Sequence, residues 1–423
     1  MSTGRSGPFS QRLTLPRTRN RLPGCTKIKG TMRIYLDHNA TTPVAPEVAD
    51  AMATALRTTF GNPSSLHRHG QEAKTALDEA RTAVARLLGA EPTEIVFTSG
   101  GSESDNLAIR GAAVALAGGK RRHLVASAIE HEAVLQTLKA LSKQGWTTTL
   151  VRVDASGVVT PEQLAEAITD QTALVSVMHA NNEIGTIQPI ADLARLAHAR
   201  GAVFHTDAVQ SVGKLPVDVR ALDIDLLSLS AHKLNGPKGV GALWVRRGTR
   251  LTSQTTGGKQ ERNRRAGTEN VPAIVGLGAA ARRALDKGSA ETDRVAALRD
   301  RLERGILAGV PGTVVNGDPA RRVPNTCNIS FDRVEAESLL IALDLDDVAV
   351  STGSACSSGT LEPSHVLRAM GFSPHRTQNS IRFSLGLGNT ADEVDRVVAV
   401  LPGIVDRLRA LTRRQPRPAA SGR

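Results

Sequence analysis

Lys233 and Asp207 have residue types and positions that could do chemistry. In SLSAHKLNGPKG, Lys233 follows the apolar run at 224–229, which predicts a buried strand. Asp207 interrupts an earlier apolar run in FHTDAVQS, and a buried carboxylate needs a cationic partner. If that partner is a protonated ring nitrogen, the two residues supply what a pyridoxal phosphate site requires, namely a carboxylate for the pyridinium and a Schiff-base lysine. A solvated turn lysine is the alternative.

Further polar residues follow other predicted strands, which is where open α/β sheets bind ligands. After EIVFT, Gly100, Gly101 and Ser102 could present N–H groups and a hydroxyl to a phosphate, or could simply cap a helix. His131 follows HLVASAI, where a structural hydrogen bond is the commoner role for a histidine. Asn182 follows TALVSVMHA and could donate to a ligand oxygen or belong to a turn.

The strands that place these polar residues are predicted from short apolar runs, which alternate with helical patterns between residues 45 and 290. The alternation predicts βαβ units and a largely parallel sheet, hence an α/β protein with a large domain at 45–290. Helical segments at 71–89 and 189–201 each end at a glycine, the residue that favours a helix C-cap. The clearest strand runs are EIVFTSG, HLVASAI, TALVSVMHA, AVFHTDAVQ, DIDLLSLSAHK and GALWVRR.

The pattern changes from about residue 291 to a long helix, three strands and a last helix from Ala391 to about Leu411. We expect residues 32–44 and 291–411 to form a smaller α+β domain. Residues 412–423 are expected to be a disordered tail.

The 423-residue chain has a formal net charge of +12, which would suit a nucleic-acid or membrane partner. Eight of its arginines and lysines lie within residues 1–33, which contain no acid, so the remainder carries only +4. No apolar run approaches the roughly 18–20 residues that cross a bilayer. We therefore expect neither a nucleic-acid nor a membrane partner.

Residues 1–31 are basic and lack apolar periodicity, so we expect a disordered extension. Two explanations compete: an Arg- and Ser-rich presequence, or translation from upstream of a true start at Met32. The second is favoured, because three prolines oppose the amphipathic helix of a presequence and an ordered strand is predicted directly at Met32.

The three cysteines, Cys25, Cys327 and Cys356, are too few and too scattered for a disulfide framework or a zinc site. This favours a reducing compartment, and we expect no metal. Cys327, in NTCNISF, is interpreted as structural. Cys356 lies in STGSACSSGT, a small, polar stretch that predicts a mobile loop, and no bulky apolar residue flanks it as a buried cysteine would require.

Ten segments follow one another between Tyr35 and Leu408: YLDHNATTP, GNPSSLHRHG, FTSGGSESDNLAI, EHEAVL, HANNEIGTIQPI, HTDAVQSVGKLPVDV, SAHKLNGPKGVGALWVRR, RAGTEN, STGSACSSGTLEPSHVLRAMG and SIRFSLG. Together they resemble the cysteine desulfurases, pyridoxal phosphate-dependent enzymes of the class V aminotransferase group. The TGSAC form resembles the housekeeping and nitrogen-fixation branch. The resemblance implies fold-type I, a large domain with a mostly parallel, seven-stranded sheet plus a smaller α+β domain.

The resemblance also implies how the cofactor, pyridoxal 5′-phosphate, is held. Lys233 would form the Schiff base, Asp207 would pair with the pyridine nitrogen, and Gln210 would hydrogen-bond the phenolic oxygen. His131 would stack on the ring. The phosphate would be held by Gly101, Ser102, Ser230 and His232 and by Thr268, which comes from the neighbouring subunit of a homodimer.

For the reaction, the resemblance implies that Asn182 and Arg382 bind the carboxylate of L-cysteine, with Arg382 as a two-pronged donor. It also makes Asn182 a cofactor-binding residue. Lys233 would remove the Cα proton. The Cys356 thiolate would take the sulfur as a persulfide and leave alanine. A cytoplasmic location is expected, with transfer of the sulfur to an iron–sulfur scaffold or a tRNA-thiolation carrier.

Two features depart from the family pattern. Ser102 stands where the family usually has Thr, which keeps the hydroxyl. The chain ends in TRRQPRPAASGR, without the apolar and aromatic end that housekeeping members use to dock a scaffold protein, so the sulfur acceptor is left open.

Two other functions compete with a desulfurase. A basic nucleic-acid-binding or scaffold protein with an inactive enzyme fold is disfavoured by the presence of Lys233, Asp207 and Cys356. A lyase or transaminase acting on another amino acid would use the same fold, but Cys356 in its loop argues against it.

Overall fold

A computed structural model describes residues 33–116, 118–119, 121–353 and 363–414. The predictions for residues 1–31, for the tail beyond Arg414 and for Cys356 lie outside the described residues. Within them, none of the helices combines the length and the apolar character needed to pass through a bilayer.

The described part of the chain contains twelve strands, most of them short and buried. They are Ile34–Tyr35 (β1), Ile95–Thr98 (β2), His123–Ser127 (β3), Thr147–Val151 (β4), Thr172–Ser176 (β5), Val203–Asp207 (β6), Leu226–Ser230 (β7), Gly241–Val245 (β8), Thr313–Asn316 (β9), Thr326–Phe331 (β10), Val348–Ala349 (β11) and Ser380–Ser384 (β12).

The same part of the chain contains twelve helical segments. They are Pro46–Thr58 (α1), Arg68–Leu87 (α2), Gly101–Leu116 (α3), Glu132–Ser142 (α4), Pro161–Ala167 (α5), Ile190–Ala199 (α6), Gln260–Asn263 (α7), Val271–Gly309 (α8), Ala336–Leu345 (α9), His365–Ala369 (α10), Pro374–Gln378 (α11) and Ala391–Arg414 (α12). As predicted, α2 and α6 are followed by glycines with positive φ, 64° at Gly89 and 67° at Gly201.

The largest sheet has seven strands in the order β2-β8-β7-β6-β5-β3-β4. β8 is antiparallel to β2 and β7, whereas the other neighbours are parallel, which confirms the predicted mostly parallel sheet. The edge strand β4 was not among the predicted runs, because its sequence TTTLV is polar and mostly exposed. Since β3, β5, β6 and β7 run in one direction, their carboxyl ends meet at one edge of the sheet.

Both faces of this sheet are buried, as a parallel sheet requires. Successive residues of a strand pack into different hydrophobic clusters: Leu227 and Trp244 face one cluster, and Leu226 and Leu243 face the other. The first cluster includes residues of α1, α2, α6 and α8, and the second includes residues of α3 and α4. The period-2 alternation of the strands therefore explains why their sequences are continuously apolar.

A further hydrophobic cluster, which we call the second core, includes residues of α8, α9, α12 and the smaller sheets. These sheets are β12-β10-β9, which is antiparallel, and the parallel pair β1-β11. The long helix does not begin at about 291, as expected, but at Val271. Its residues up to Ala281 pack in the first cluster, beside α1 and α2, and those from Val295 pack in the second core, so one helix enters both.

A buried ion pair anchors α7 to α2. The Arg81 guanidinium donates to both carboxylate oxygens of Glu261, at 2.7 and 2.8 Å, and also to the carbonyl of Ile95. Glu261 accepts the N–H of Phe97 as well. Glu261 has a φ of 45°, in the left-handed region that favours glycine, so its conformation depends on these contacts.

We expect Arg81→Met to lower the free energy of unfolding by about 3–5 kcal/mol, because it leaves the Glu261 carboxylate buried without a cation. Arg301→Met is the matched control. It breaks an ion pair with Asp395 in which both side chains are about half exposed, at 51% and 50%, and should cost less than about 1 kcal/mol. Urea denaturation compares the two variants, and equal losses would contradict a special role of the buried pair.

Candidate active site

The carboxyl ends of β3, β5, β6 and β7 are followed by side chains that surround a cavity with about 220 Å³ of space open to water. Ten residues that the sequence predicted line it: Gly101, Ser102, His131, Asn182, Asp207, Gln210, Ser230, His232, Lys233 and Arg382. Thr268 is exposed and is not among the lining residues. Cys356 lies outside the described residues, but Gly353, three positions earlier, lines the cavity.

Lys233 lies in a 3₁₀ turn, Ala231–Lys233, that directly follows β7. Its Nζ donates to the backbone carbonyls of Asn39 and, at 2.8 Å, of Ala40. These carbonyls belong to the segment after β1, which therefore forms the opposite wall of the cavity. The ammonium is half-buried but hydrogen-bonded, which offsets part of its desolvation cost.

His131 is the N-cap of α4, the helix that follows β3. Its Nδ1 accepts the N–H of Ala133 at 3.1 Å, which fixes the orientation of the ring. The structural hydrogen bond that the sequence suggested is therefore present, and the ring also lines the cavity.

Arg382 projects from β12 and is only 3% exposed. Its Nη2 donates to Asp37 Oδ1 at 2.7 Å, and its Nη1 donates to the carbonyl of Asn182 at 3.0 Å. Its Nε is buried and has no hydrogen-bond partner. The guanidinium is thus held by two of its five N–H donors, and its Nε–H is left without a partner.

Residues at the N-terminus of α3 form a second opening continuous with this cavity. It is lined by Gly101, Ser102, Ser230 and His232, which also line the first cavity, and by Lys238, which the sequence analysis did not select. A helix N-terminus, hydroxyl groups and an ammonium together form a site suited to a phosphate group.

Comparison with known proteins gives consistent results. The class V aminotransferase family matches residues 34–397. The cysteine desulfurase IscS of Dictyoglomus turgidum is 48% identical over 379 residues, covering 90% of this chain and 96% of that protein. The cysteine desulfurase NifS of Azotobacter vinelandii is 50% identical over 377 residues, covering 89% and 93%. The chain belongs to the cysteine desulfurases of the class V aminotransferase family.

The fold agrees with this membership. A solved structure described as a NifS-like protein matches with a TM-score of 0.84 at 38% identity, covering 89% of this chain and 100% of that one. The predicted resemblance, including its housekeeping and nitrogen-fixation branch, and the predicted fold class are therefore confirmed.

Membership in the cysteine desulfurases implies pyridoxal 5′-phosphate, and the residues of the cavity fit that group. Phosphate donors lie at one end, and Asp207 and Lys233 lie within the same cavity. Asp105 lines the cavity too, is only 1% exposed, and its Oδ1 has no hydrogen-bond partner. A buried polar atom without a partner is the kind of group that a ligand satisfies.

Three buried carboxyl groups interact around Asp207. Burial raises the pKa of Asp207, and the charges of His131 and Lys233 act against this shift. Burial and the negative charge of Asp207 raise the pKa of Asp105 well above its usual range, and burial raises the pKa of Glu130 to about 8. Asp207 differs from the other two in lying beside Lys233 and His131, so it is the carboxyl of this cluster best placed to carry a negative charge.

The sequence analysis missed Asn39 and Asp105 as lining residues. Asp105 carried a usable signal, because Ala108, Ile109 and Ala112 repeat its position on the buried face of α3. Asn39 lies in an irregular segment after β1, where no periodicity marks the direction of a side chain.

We expect Glu130→Gln to change how stability depends on pH. The folded pKa of Glu130, about 8, lies above the unfolded value of 4.5, so the wild type loses stability as pH rises through this interval. Relative to the variant, the free energy of unfolding should fall by about 1.4 kcal/mol per pH unit between roughly pH 5 and pH 8. Denaturation at several pH values measures this difference. Glu79→Gln, on the exposed side of α2, is the control, and an equal slope in both variants would contradict the assignment.

Proposed function

We propose that this protein is a pyridoxal 5′-phosphate-dependent cysteine desulfurase that converts L-cysteine to L-alanine and transfers the sulfur to Cys356. The observation that carries the proposal is the placement of Lys233, Asp207 and Arg382 in one cavity. A carboxylate for a ring nitrogen, a lysine for a carbonyl and a guanidinium for a substrate carboxylate together form an amino-acid site. The relatives named cysteine desulfurase support this substrate.

The cofactor would be held from both ends. Asp207 would keep the ring nitrogen protonated, Gln210 would donate to the phenolic oxygen and His131 would lie against the ring. Gly101, Ser102, Ser230 and His232 would bind the phosphate. When bound, the cofactor supplies an electron sink for the charge that develops at the substrate Cα.

Thr268 would complete the phosphate site of a second subunit. It is exposed in this chain, and Arg265, three residues earlier, is tied to Glu103 of α3 at 2.8 Å. An exposed Thr268 on an anchored segment is available to a partner, which supports a homodimer.

The residues of this chain would act on L-cysteine in a defined order. Arg382 and Asn182 would bind the substrate carboxylate, with the unpartnered Nε–H of Arg382 as one donor. Lys233 would take the Cα proton. The Cys356 thiolate would attack the substrate Sγ, so that a sulfur–sulfur bond forms, the Cβ–Sγ bond breaks and its electron pair returns to the carbon skeleton, which takes up protons and leaves as alanine.

The position of Gly353 supports the role of Cys356. Three extended residues span about 10 Å, so a cysteine three positions after a cavity residue can reach the substrate. Cys327 is unsuited to this role, because it is fully buried and burial raises the pKa of its thiol to about 12.

The destination of the sulfur is part of the proposal. We propose a cytoplasmic enzyme that passes its persulfide to an acceptor protein, either an iron–sulfur scaffold or a carrier for tRNA thiolation. The names IscS and NifS of two relatives support iron–sulfur assembly as the first of these to test.

Lys233→Ala should remove the visible absorbance of the bound cofactor and reduce alanine formation from L-cysteine at least about a hundredfold. Absorbance spectra of the purified protein and an alanine assay measure both effects. Lys139→Ala, on the exposed side of α4, serves as the control. Turnover retained by the Lys233 variant would refute the assignment.

Cys356→Ser should separate cofactor chemistry from sulfur transfer. A serine hydroxyl is not ionised near neutral pH, so protein persulfide should disappear and alanine formation should fall at least about a hundredfold. Cofactor absorbance should survive and still change on addition of L-cysteine. Cys327→Ala should keep forming persulfide. Alanine formation by the Ser variant at the wild-type rate would leave a lyase or transaminase as the better assignment.

A further inference from the structure

Lys214 lies behind the wall of the active-site cavity, four residues after Gln210. Its Nζ donates to Gln210 Oε1 at 2.7 Å and to Asn39 Oδ1 at 3.3 Å. Among the ion pairs of the described residues, none involves Lys214. Its Nζ therefore donates to two amide groups rather than to a carboxylate.

This contact helps to fix which way the Gln210 amide faces. Nζ is the donor, and the oxygen Oε1 is the atom that accepts. Nε2 is then the opposite atom of the amide, and it donates to the carbonyl of Asn39 at 3.0 Å. Lys214 and the Asn39 carbonyl thus hold opposite ends of the same amide, and without Lys214 the oxygen end would lose its donor.

Asn39 is oriented in the same way. Its Oδ1 accepts from Lys214 and, at 2.9 Å, from Asn325. Its Nδ2 is consequently directed to the carbonyl of Asn182 at 3.0 Å, the same carbonyl that accepts from Arg382. Its own backbone carbonyl accepts from both Gln210 and Lys233. The Lys214 amino group thus contacts both of the amides that lie next to Lys233 and Arg382.

The charged and titratable groups around Lys214 come from several elements. Burial and the charges of Lys233 and Arg382 lower the pKa of Lys214 well below its ordinary value. On its other side, Lys214 lines a small cavity, about 60 Å³ open to water, with His38 and the paired Arg283 and Glu291 of α8. Burial and the charge of Lys214 lower the pKa of His38 to about 4, so this ring is neutral.

We propose that Lys214 is a positioning residue that holds the Gln210 carboxamide with its N–H donor toward the phenolic oxygen of the bound cofactor. The proposal rests on the proposed function and adds a residue to it. A donor at this oxygen favours its deprotonated form. Lys214 should therefore affect the pH at which the bound cofactor changes protonation, although it lies outside the cavity lining.

The test uses the cofactor-loaded protein without substrate and follows its visible absorbance as a function of pH. In Lys214→Met the amide loses the contact at its oxygen, so its N–H donor is held less firmly toward the phenolic oxygen and the spectral transition should move to higher pH by about 0.5–1 unit. Lys214→Arg keeps a donor and should restore most of the wild-type transition. An unmoved transition in the Met variant, measured in protein that binds the cofactor, overturns the proposal.

A double-mutant cycle with Gln210→Ala distinguishes positioning from a direct effect of charge. If Lys214 acts through Gln210, Lys214→Met should shift the transition much less in the Gln210→Ala background. An undiminished shift means that only the charge of Lys214 acts, which overturns positioning. Alanine formation by the wild type tests the proposed function separately, so an active wild type with an unshifted Met variant defeats this inference alone.

Discussion

The ionised carboxylate of Asp207, at the end of β6, requires cations and hydrogen-bond donors around it. A charge that is 5% exposed is costly unless cations and N–H donors surround it, and Asp207 has His131, Lys233 and the N–H of Val209. Its two carboxyl neighbours, Asp105 and Glu130, have raised pKa values because both are buried and because the negative charge of Asp207 repels a second one.

The opposite wall is built from hydrogen bonds to one short segment after β1. The backbone carbonyl of Asn39 is shared by Gln210 and Lys233, and its side chain reaches the carbonyl that also holds Arg382. Gln210, Lys233 and Arg382, the residues proposed to contact the ring, the reacting carbon and the substrate carboxylate, are thereby linked through one asparagine. Lys214 donates to the side chain of that asparagine.

The sequence predicted that a residue lines the site wherever its place in the site depends only on the strand that it follows. Asp207, Ser230 and Lys233 follow apolar runs, and parallel pairing necessarily brings such ends together. It was less informative where partners lie far apart in the chain. The role of Lys214 depends on Asn39, 175 positions away, and β4 lacks an apolar run because it is an exposed edge. Thr268 is exposed in a single chain, so its proposed role would need a second subunit that no single-chain pattern describes.

The entry of α8 into two cores has a geometric consequence for how this chain can vary. Between Ala281 and Val295 no residue of the helix belongs to either core, although Arg283 and Glu291 form an ion pair there. The number of residues in this stretch is constrained. One inserted residue would rotate everything after it by about 100° and advance it by about 1.5 Å, turning Val295 and Leu302 out of the second core. This stretch of α8 therefore sets the spacing and the relative rotation of the two segments that enter the cores.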